Sequence, residues 1–298
     1  MNGPRMKGVA CKICGFAEHD TLYRGPIRVG RFGQLSAEPY TVWRCGGCWA
    51  GYLPAPEADY VSGEYRILVD GSDTAEDFHR LHDGEQAEKL RLLGTGGLRG
   101  SVVMDVGCGA GSFLDLVKGL CRLTIGIEPT ASLRQAVVAK GHVAFPYCSD
   151  VATEWEGRVD VAALFSVIEH VDDPKGLLKD IRRLLRPGGR LLLSTPNRRD
   201  WLLDVLPDDY APFFYRLVHT WYFDADALRR LVELAGFAKA SVVYSHRFDL
   251  SNAVLWLRDK RPTGLGKLDV PDSADSIFRA TLEASGRADY LYCSCING

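Results

Sequence analysis

The chain has 298 residues, of which 46% are hydrophobic and 25% are charged, and its net charge is −2 at pH 7. This composition is ordinary for a globular protein with one large and one small domain. The balanced charge argues against nucleic acid or an anionic membrane as a partner, and no apolar run approaches the roughly 20 residues that span a bilayer. The N-terminus lacks the apolar core of a signal peptide, so a cytoplasmic location is expected.

Residues 1–56 contain two C-x2-C pairs, in CKICG and CGGCW. In a reducing compartment such pairs indicate a metal site rather than disulfides. Four thiolates suit tetrahedral zinc. So short a segment makes a poor core by itself, and the metal would supply much of its folding free energy. The sequence predicts a structural zinc ribbon with the ligands Cys11, Cys14, Cys45 and Cys48.

Residues 57–95 are predicted to form a helical linker that also covers the acceptor. The stretch DTAEDFHRLHDGEQAEKLRLLG has helical propensity. Its predicted apolar contacts are Phe78, Leu81, Leu90 and Leu93.

From residue 96 to residue 298, short apolar runs alternate with helical patterns, which is typical of an α/β fold with a parallel sheet. The predicted strands are SVVMDV, LTIGIE, HVAF, VDVAALFSV and RLLLSTP, followed by the closing strands ASVVYS and DYLYCSC. Helices are predicted at 112–119 and 131–139, from Pro174 to the RPGG stop, and after Asp224.

A glycine loop follows the first of these strands, in VVMDVGCGAGSFL. Its G-x-G-x-G spacing differs from the dinucleotide fingerprint, whose third glycine would fall at Ser112. Asp105 would repel a diphosphate but would favour an ammonium or sulfonium group. Glu128, at the end of the second strand, is placed to accept hydrogen bonds from ribose hydroxyls. S-adenosylmethionine (SAM) carries both a ribose and a cationic amino-acid tail.

At these residues the chain resembles the class I SAM-dependent methyltransferases, since DVGCGAG and GIE are similar to their first two cofactor motifs. The resemblance spans about residues 96–298 and implies a Rossmann-like domain with a seven-stranded sheet. It also implies adenine contacts from the CSD segment after the third strand. The predicted cofactor-binding residues are Asp105, Gly107, Gly109, Gly111, Glu128, Ser149, Asp150 and Ser166.

The segment FSVIEHVDDP puts Glu169 and His170 at the carboxyl end of the fourth strand, where ligands bind in open α/β sheets. Methyl transfer to a hydroxyl needs the acceptor aligned with sulfur and its proton removed. Histidine suits that proton transfer near neutral pH, so both residues are predicted to be catalytic. Two alternatives stay open. The pair is either structural, or part of a metal site similar to the E-x-x-E-H motif of small-RNA 2′-O-methyltransferases, with Ser166 at the first glutamate position.

A zinc ribbon ahead of such a domain is similar to sugar methyltransferases that act on nucleotide-linked or surface-glycan sugars. The resemblance implies a small, sugar-containing acceptor and a pocket tyrosine from the segment after the ribbon. The chain lacks the additional C-terminal domain of the longer sugar C-methyltransferases, which favours O-methylation. The predicted acceptor contacts are Tyr65, Arg66, His82, Asn197, His219 and Tyr222.

Two other functions stay open. One is a ribosomal-RNA base methyltransferase with a zinc finger, although residues 57–88 hold ten acids and two bases, which would repel RNA. The other is a SAM-binding protein without catalytic activity. The oligomeric state is left open.

Overall fold

The structure is a computed structural model that describes residues 5–7, 9–30, 34–54, 74–151, 153–262, 264 and 266–298. The strands in these ranges are β1 (Arg5–Lys7), β2 (Glu18–Gly25), β3 (Tyr40–Cys45), β4 (Gly51–Tyr52), β5 (Val102–Val106), β6 (Leu123–Ile127), β7 (Val143–Phe145), β8 (Val159–Phe165), β9 (Leu185–Pro196), β10 (Trp221–Tyr222), β11 (Phe237–Ser245) and β12 (Tyr290–Asn297). The helices are α1 (Ala75–Leu93), α2 (Ser112–Val117), α3 (Ala131–Ala139), α4 (Pro174–Leu184), α5 (Trp201–Val205), α6 (Pro207–Phe214), α7 (Ala225–Leu234), α8 (Leu250–Asp259) and α9 (Asp272–Ala284).

The large sheet has seven strands in the order β11-β12-β9-β8-β5-β6-β7. Strand β12 is antiparallel to both of its neighbours, whereas the pairs from β9 to β7 are parallel. The predicted α/β fold with a seven-stranded sheet is therefore confirmed. The strand order reverses between β5 and β8, and this reversal opens the crevice in which such sheets bind ligands.

The helices pack on this sheet through one apolar face each. In α4, Leu178, Ile181 and Leu184 are buried, and the predicted cap Asp173 accepts a hydrogen bond from the Gly176 amide at 2.9 Å. In α7, Asp224 likewise accepts from the third amide along the helix. These caps satisfy amides that the first turn leaves without an intrahelical partner.

The small sheet has the order β1-β2-β3-β4-β10. Its last strand comes from residues 221–222, where Trp221 pairs with Tyr52. The small sheet therefore takes one strand from beyond the predicted boundary at residue 56. A two-residue strand carries too little pattern to be recognised before the partner edge is known.

Three other features differ from the sequence-based prediction. Strand β9 begins at Leu185, so the segment RPGG lies within this strand and not in a loop after the helix. The pairing of β8 with β9 shifts its register at this segment. Helices α8 and α9 lie between the two closing strands, where none was predicted. In α1, Phe78 and Leu93 are buried as predicted, but Leu81 is 44% exposed. Among the described helices, none combines the length and apolar composition that crossing a bilayer requires.

Candidate active site

A cavity of about 1000 Å³ opens at the carboxyl ends of β5, β6 and β8. Helix α1 closes one side of it with Phe78, His82, Glu85, Gln86 and Lys89. The residues that follow β5, β6 and β8 form the opposite sides, because parallel strands bring their carboxyl ends to one edge of a sheet. Most of the predicted cofactor residues meet here.

The glycine loop lets the backbone approach the cavity closely. Gly107, Gly109 and Gly111 have φ values of +76°, +56° and +90°, which side chains rarely tolerate. A Cβ at Gly107 would lie 2.3 Å from Val167, and one at Gly109 would lie 2.2 Å from the Phe78 ring. The loop therefore requires glycine for conformation and for space.

Asp105 and Glu128 are buried acids on this cavity. Burial raises the pKa of Asp105 to about 7, the Lys89 ammonium opposes that rise, and the Glu128 charge adds to it. The Glu128 carboxylate accepts from the Gly109 amide at 3.0 Å and from the Thr130 amide at 2.9 Å. A carboxylate has lone pairs for further donors. Two buried acids with one ammonium nearby favour a positively charged ligand.

The other predicted cofactor contacts are only partly on the cavity wall. Cys148 and Ser149 line it, whereas Asp150 is exposed and is not among its described lining residues. Ser166 also lines the cavity, with a φ of +55° that is unusual for serine. Its hydroxyl shares a hydrogen bond with the Tyr290 hydroxyl. Left-handed backbone at a non-glycine residue is often found at functional sites.

Glu169, His170 and His219 lie together at the inner end of this cavity, and one ligand atom from each falls within 4.8 Å of the others. His170 Nδ1 lies 2.8 Å from the Val218 carbonyl oxygen, which can only accept, so Nδ1 carries the proton and Nε2 carries the lone pair. His170 Nε2 is 4.0 Å from Glu169 Oε1. The Thr195 hydroxyl donates to the other Glu169 oxygen at 3.0 Å, and burial raises the pKa of Glu169 to about 7.

A second cavity, of about 570 Å³, adjoins the first and shares His82, Arg216, His219 and Arg247 with it. One wall is aromatic, and its rings belong to Trp201, Tyr210, Phe213, Phe214, Phe248 and Trp256. Helices α5, α6 and α8, none of which was predicted from the sequence, supply most of these rings. The second cavity thus combines aromatic rings with charged side chains and opens beside His219.

The predicted acceptor contacts divide into three groups. His82 and His219 line both cavities. Asn197 and Tyr222 are not among the described lining residues of these two cavities, and their side chains bond to the backbone. The Asn197 amide donates to the carbonyls of Gly286 and Ala288, and the Tyr222 hydroxyl bonds to the Arg216 backbone at 2.9 and 3.0 Å. Tyr65 and Arg66 fall outside the described residues.

Sequence reasoning missed three cations on the cavity walls. Lys89 is 13% exposed and stands 5.1 Å from the Phe165 ring centroid. Arg247 lies over the Tyr290 ring at 3.6 Å and donates to Asp289 at 2.8 Å. Arg216 lines both cavities. Helical spacing from Phe78 offered a signal for Lys89, since residues 78, 82, 85 and 89 share one face of a helix.

The four predicted zinc ligands converge in the small sheet. Cys11 Sγ is 3.7 Å from Cys48 Sγ, and Cys14 Sγ is 3.5 Å from Cys45 Sγ. Zinc–sulfur bonds of about 2.3 Å in a tetrahedron put neighbouring sulfurs about 3.8 Å apart. The Gly47 amide points to Cys45 Sγ at 3.4 Å, and a Cβ at Gly47 would meet Cys14 Sγ at 3.1 Å. The cluster is compatible with a zinc ribbon.

Comparisons with known proteins agree with this geometry. The family model described as "Methyltransferase domain" matches residues 78–242. The chain is 32% identical over 179 residues to a ubiquinone biosynthesis O-methyltransferase of Cronobacter sakazakii, over 55% of this chain and 71% of that protein. The protein of the same name from Coxiella burnetii is 29% identical over 53% of this chain and 74% of its own length.

Among solved structures, a SAM-dependent methyltransferase from Archaeoglobus fulgidus has a similar fold. The TM-score is 0.52, with 18% identity over 74% of this chain and 97% of that one. At this identity the similarity concerns the fold alone. The family model covers more than half of the chain, and the sheet order and the glycine loop agree with it. The chain therefore belongs to the methyltransferase-domain family and is a SAM-dependent methyltransferase.

Proposed function

We propose that this enzyme O-methylates a small, hydroxyl-bearing acceptor, with His170 as the general base. The observation that carries the proposal is the junction of the two cavities. Residues of the cofactor motifs line one cavity, aromatic rings line the other, and His219 belongs to both, with its ring centroid 4.7 Å from that of His170.

The cofactor would bind in the first cavity. Asp105 would face its ammonium group, Glu128 would accept from the ribose, and Ser149 and Ser166 would line its binding site. When bound, it supplies a methyl group on a positively charged sulfur. Lys89 is the cation on the same wall that would attract the carboxylate of its amino-acid tail.

The acceptor hydroxyl would be held at the junction. His170 Nε2, which carries the lone pair, would take the hydroxyl proton while the new oxygen–carbon bond forms and the carbon–sulfur bond breaks. The Glu169 carboxylate would stabilise the resulting imidazolium from 4.0 Å. The cavity walls would keep the reacting oxygen in line with the methyl group.

The first candidate acceptor contains a sugar, such as a nucleotide-linked or glycan sugar. It is supported by the order of the chain, in which a zinc ribbon precedes a methyltransferase domain. Tyr65 and Arg66 are proposed as further acceptor contacts. The aromatic wall supports such an acceptor, since the apolar face of a sugar ring packs on aromatic side chains. A second candidate is a phenol, favoured by that same apolar wall together with the ubiquinone biosynthesis relatives.

The test is formation of S-adenosylhomocysteine by the full-length protein with two panels of acceptors, nucleotide-linked sugars and catechols. If S-adenosylhomocysteine forms with a nucleotide-linked sugar and NMR identifies the O-methyl ether of that sugar, the first candidate is supported. If it forms with a catechol and NMR identifies the methyl ether of that catechol, the second candidate is supported. A product methylated on carbon or nitrogen, or on RNA, would contradict the proposal. No product from any acceptor, together with tight cofactor binding, would favour a SAM-binding protein without catalytic activity.

We also propose that Cys11, Cys14, Cys45 and Cys48 bind one structural zinc ion. The support is the convergence of four sulfurs at spacings close to those of a tetrahedral site. A closed set of four thiolates leaves no position for substrate, so the ion would stabilise the small sheet. Metal analysis of protein purified without chelator should find one zinc per chain, and Cys48→Ser should lower both the metal content and the melting temperature. Cys121→Ser, which changes a cysteine outside the cluster, should keep the zinc.

A further inference from the structure

Two arginines from distant parts of the chain are neighbours at the second cavity. The backbones of Arg28 and Arg216 form a parallel bridge, in which the Arg28 amide donates to the Tyr215 carbonyl at 2.9 Å and the Leu217 amide donates to the Arg28 carbonyl at 2.9 Å. Paired residues on a parallel bridge project to the same side. Both arginines line the second cavity, and Arg216 lines the first as well.

The surroundings favour an anion at this arginine pair. Both aspartates on the second cavity are engaged elsewhere, because Asp289 accepts from Arg247 at 2.8 Å and Asp200 accepts from the Tyr210 hydroxyl at 2.6 Å. In the described part of the chain no carboxylate lies within ion-pair distance of Arg216. The neighbouring Arg28 guanidinium adds positive charge at the same cavity, which favours an anion at Arg216.

The pair also sits close to the reacting groups. Arg216 is three residues before His219, and the charges of Arg28 and Arg216 both oppose protonation of that histidine, whose pKa lies well below its ordinary value mainly because of burial. The Arg28 guanidinium packs over the Phe213 ring at 4.4 Å, which orients it at the aromatic wall. If an anionic group of the acceptor bound here, the acceptor ring attached to that group would pack against the aromatic side chains.

From this geometry we infer that the acceptor carries a carboxylate or phosphate group near its methyl-accepting hydroxyl, bound by the Arg28–Arg216 pair. The inference rests on the proposed function, since it takes the second cavity as the acceptor site. It narrows the acceptor to an anionic ring compound, such as a hydroxy acid or a phosphorylated sugar. Arginine suits both groups because its planar fork donates two parallel hydrogen bonds to two oxygens.

Binding of small aryl probes tests the inference without any methyl transfer. The full-length zinc-bound protein, saturated with S-adenosylhomocysteine, is titrated calorimetrically with benzoate, phenyl phosphate and the neutral isostere benzamide. We expect one of the two anions to bind about tenfold to a hundredfold more tightly than benzamide, the range for a lost charge-assisted hydrogen bond. Preference for benzoate would indicate a carboxylate acceptor, and preference for phenyl phosphate would indicate a phosphorylated one.

Arg216→Gln should abolish most of that preference, and Arg216→Lys should retain part of it because the charge remains. The matched control is Arg24→Gln, an exposed arginine of β2 that lines neither of the two cavities and should leave the preference unchanged. If Arg216→Gln does not fold, the inference is still tested by the preference of the wild-type protein for an anion over benzamide and by the Arg216→Lys variant. Three results would overturn the inference. The first is equal binding of benzamide and the anions, and the second is no binding of either anion at millimolar concentration. The third is an unchanged preference in the Arg216 variants. These probes carry no methyl-accepting hydroxyl, so failure of methyl transfer would be seen separately, in the S-adenosylhomocysteine assay.

Discussion

The two cavities that meet at His219 are built in different ways. The wall of the cofactor cavity comes mainly from short segments that directly follow β5, β6 and β8, together with one face of α1. The second cavity draws on segments that are far apart in the chain, namely the segment at Arg28 between β2 and β3, helices α5 and α6, and α8 with its flanking residues. A site made of contiguous motifs has a sequence signature, whereas a site assembled from distant helices does not. Variants that affect one cavity and spare the other test this division.

The largest effect is expected at the junction. His170→Ala should lower the methyl-transfer rate by about 10²–10⁴-fold, because the hydroxyl proton loses its acceptor. The affinity for S-adenosylhomocysteine should stay unchanged, since Asp105 lies in β5 and Glu128 directly follows β6, whereas His170 follows β8. His142→Asn is the matched control, because His142 lines neither of the two cavities and is bonded to Thr124 and Asp115. Steady-state rates and calorimetry measure both quantities, and a His170→Ala variant that keeps more than about a tenth of the rate is incompatible with a general base.

Next come the acids of the cofactor cavity. Asp105→Ala and Glu128→Ala should each weaken S-adenosylhomocysteine binding by about tenfold to a hundredfold, the cost of a lost hydrogen bond to a charged group. The variant Asp150→Asn distinguishes the sequence-based prediction, in which Asp150 binds the cofactor, from the structure, in which Asp150 lies outside the described lining of the cavity. Because Asp150 is exposed and outside the described lining of the cavity, its variant should bind within about twofold of wild type. Calorimetric titrations that rank Asp150 with the other two acids would show that the cofactor lies elsewhere.

The affinity for the cofactor should also depend on pH. The pKa of Asp105 is raised to about 7, so its carboxyl is mostly neutral below pH 7 and mostly charged above it. A cationic ligand favours the charged form, so affinity should be full at pH 8 and about tenfold weaker at pH 6, where a group of that pKa is about 90% protonated. Asp105→Asn should remove this dependence. A wild-type affinity that does not change between these two pH values would argue against an ammonium group at Asp105.

The smallest effect concerns Lys89, whose positive charge lowers the pKa of Asp105. Lys89→Met should therefore move the midpoint of the pH-dependent affinity upward, by a fraction of a pH unit to about one unit. Glu85→Gln, on the same helix face and 3.6 Å from Lys89, should shift the midpoint less because it removes only the partner of that lysine. A downward shift in the Lys89→Met titration would show that the two groups do not interact as the structure indicates.

The cofactor side of the site was readable because its chemistry is local. The glycine loop, Asp105 and Glu128 belong to strand–turn segments whose residues stay adjacent after folding, and Asp105, Gly107 and Glu128 line one cavity. Asn197 and Tyr222 were predicted as acceptor contacts, and in the structure their side chains bond to the backbone. Buried polar groups must be hydrogen-bonded, and near a strand end such a residue can satisfy the backbone of the fold instead of a ligand, as both do here.

The sequence by itself determined the alternation of strands and helices, the glycine loop, the cofactor acids and the four cysteines, because period, turn chemistry and ligand spacing act over a few residues. Tertiary structure alone decided that β10 completes the small sheet, that α8 lines the second cavity, and that Arg28 lies beside Arg216. Those contacts join residues that are far apart in the chain, such as Tyr52 with Trp221, Arg28 with Arg216, and Tyr210 with Trp256. Their energy comes from burial and pairing that exist only after the chain has closed those loops, so no local pattern records them.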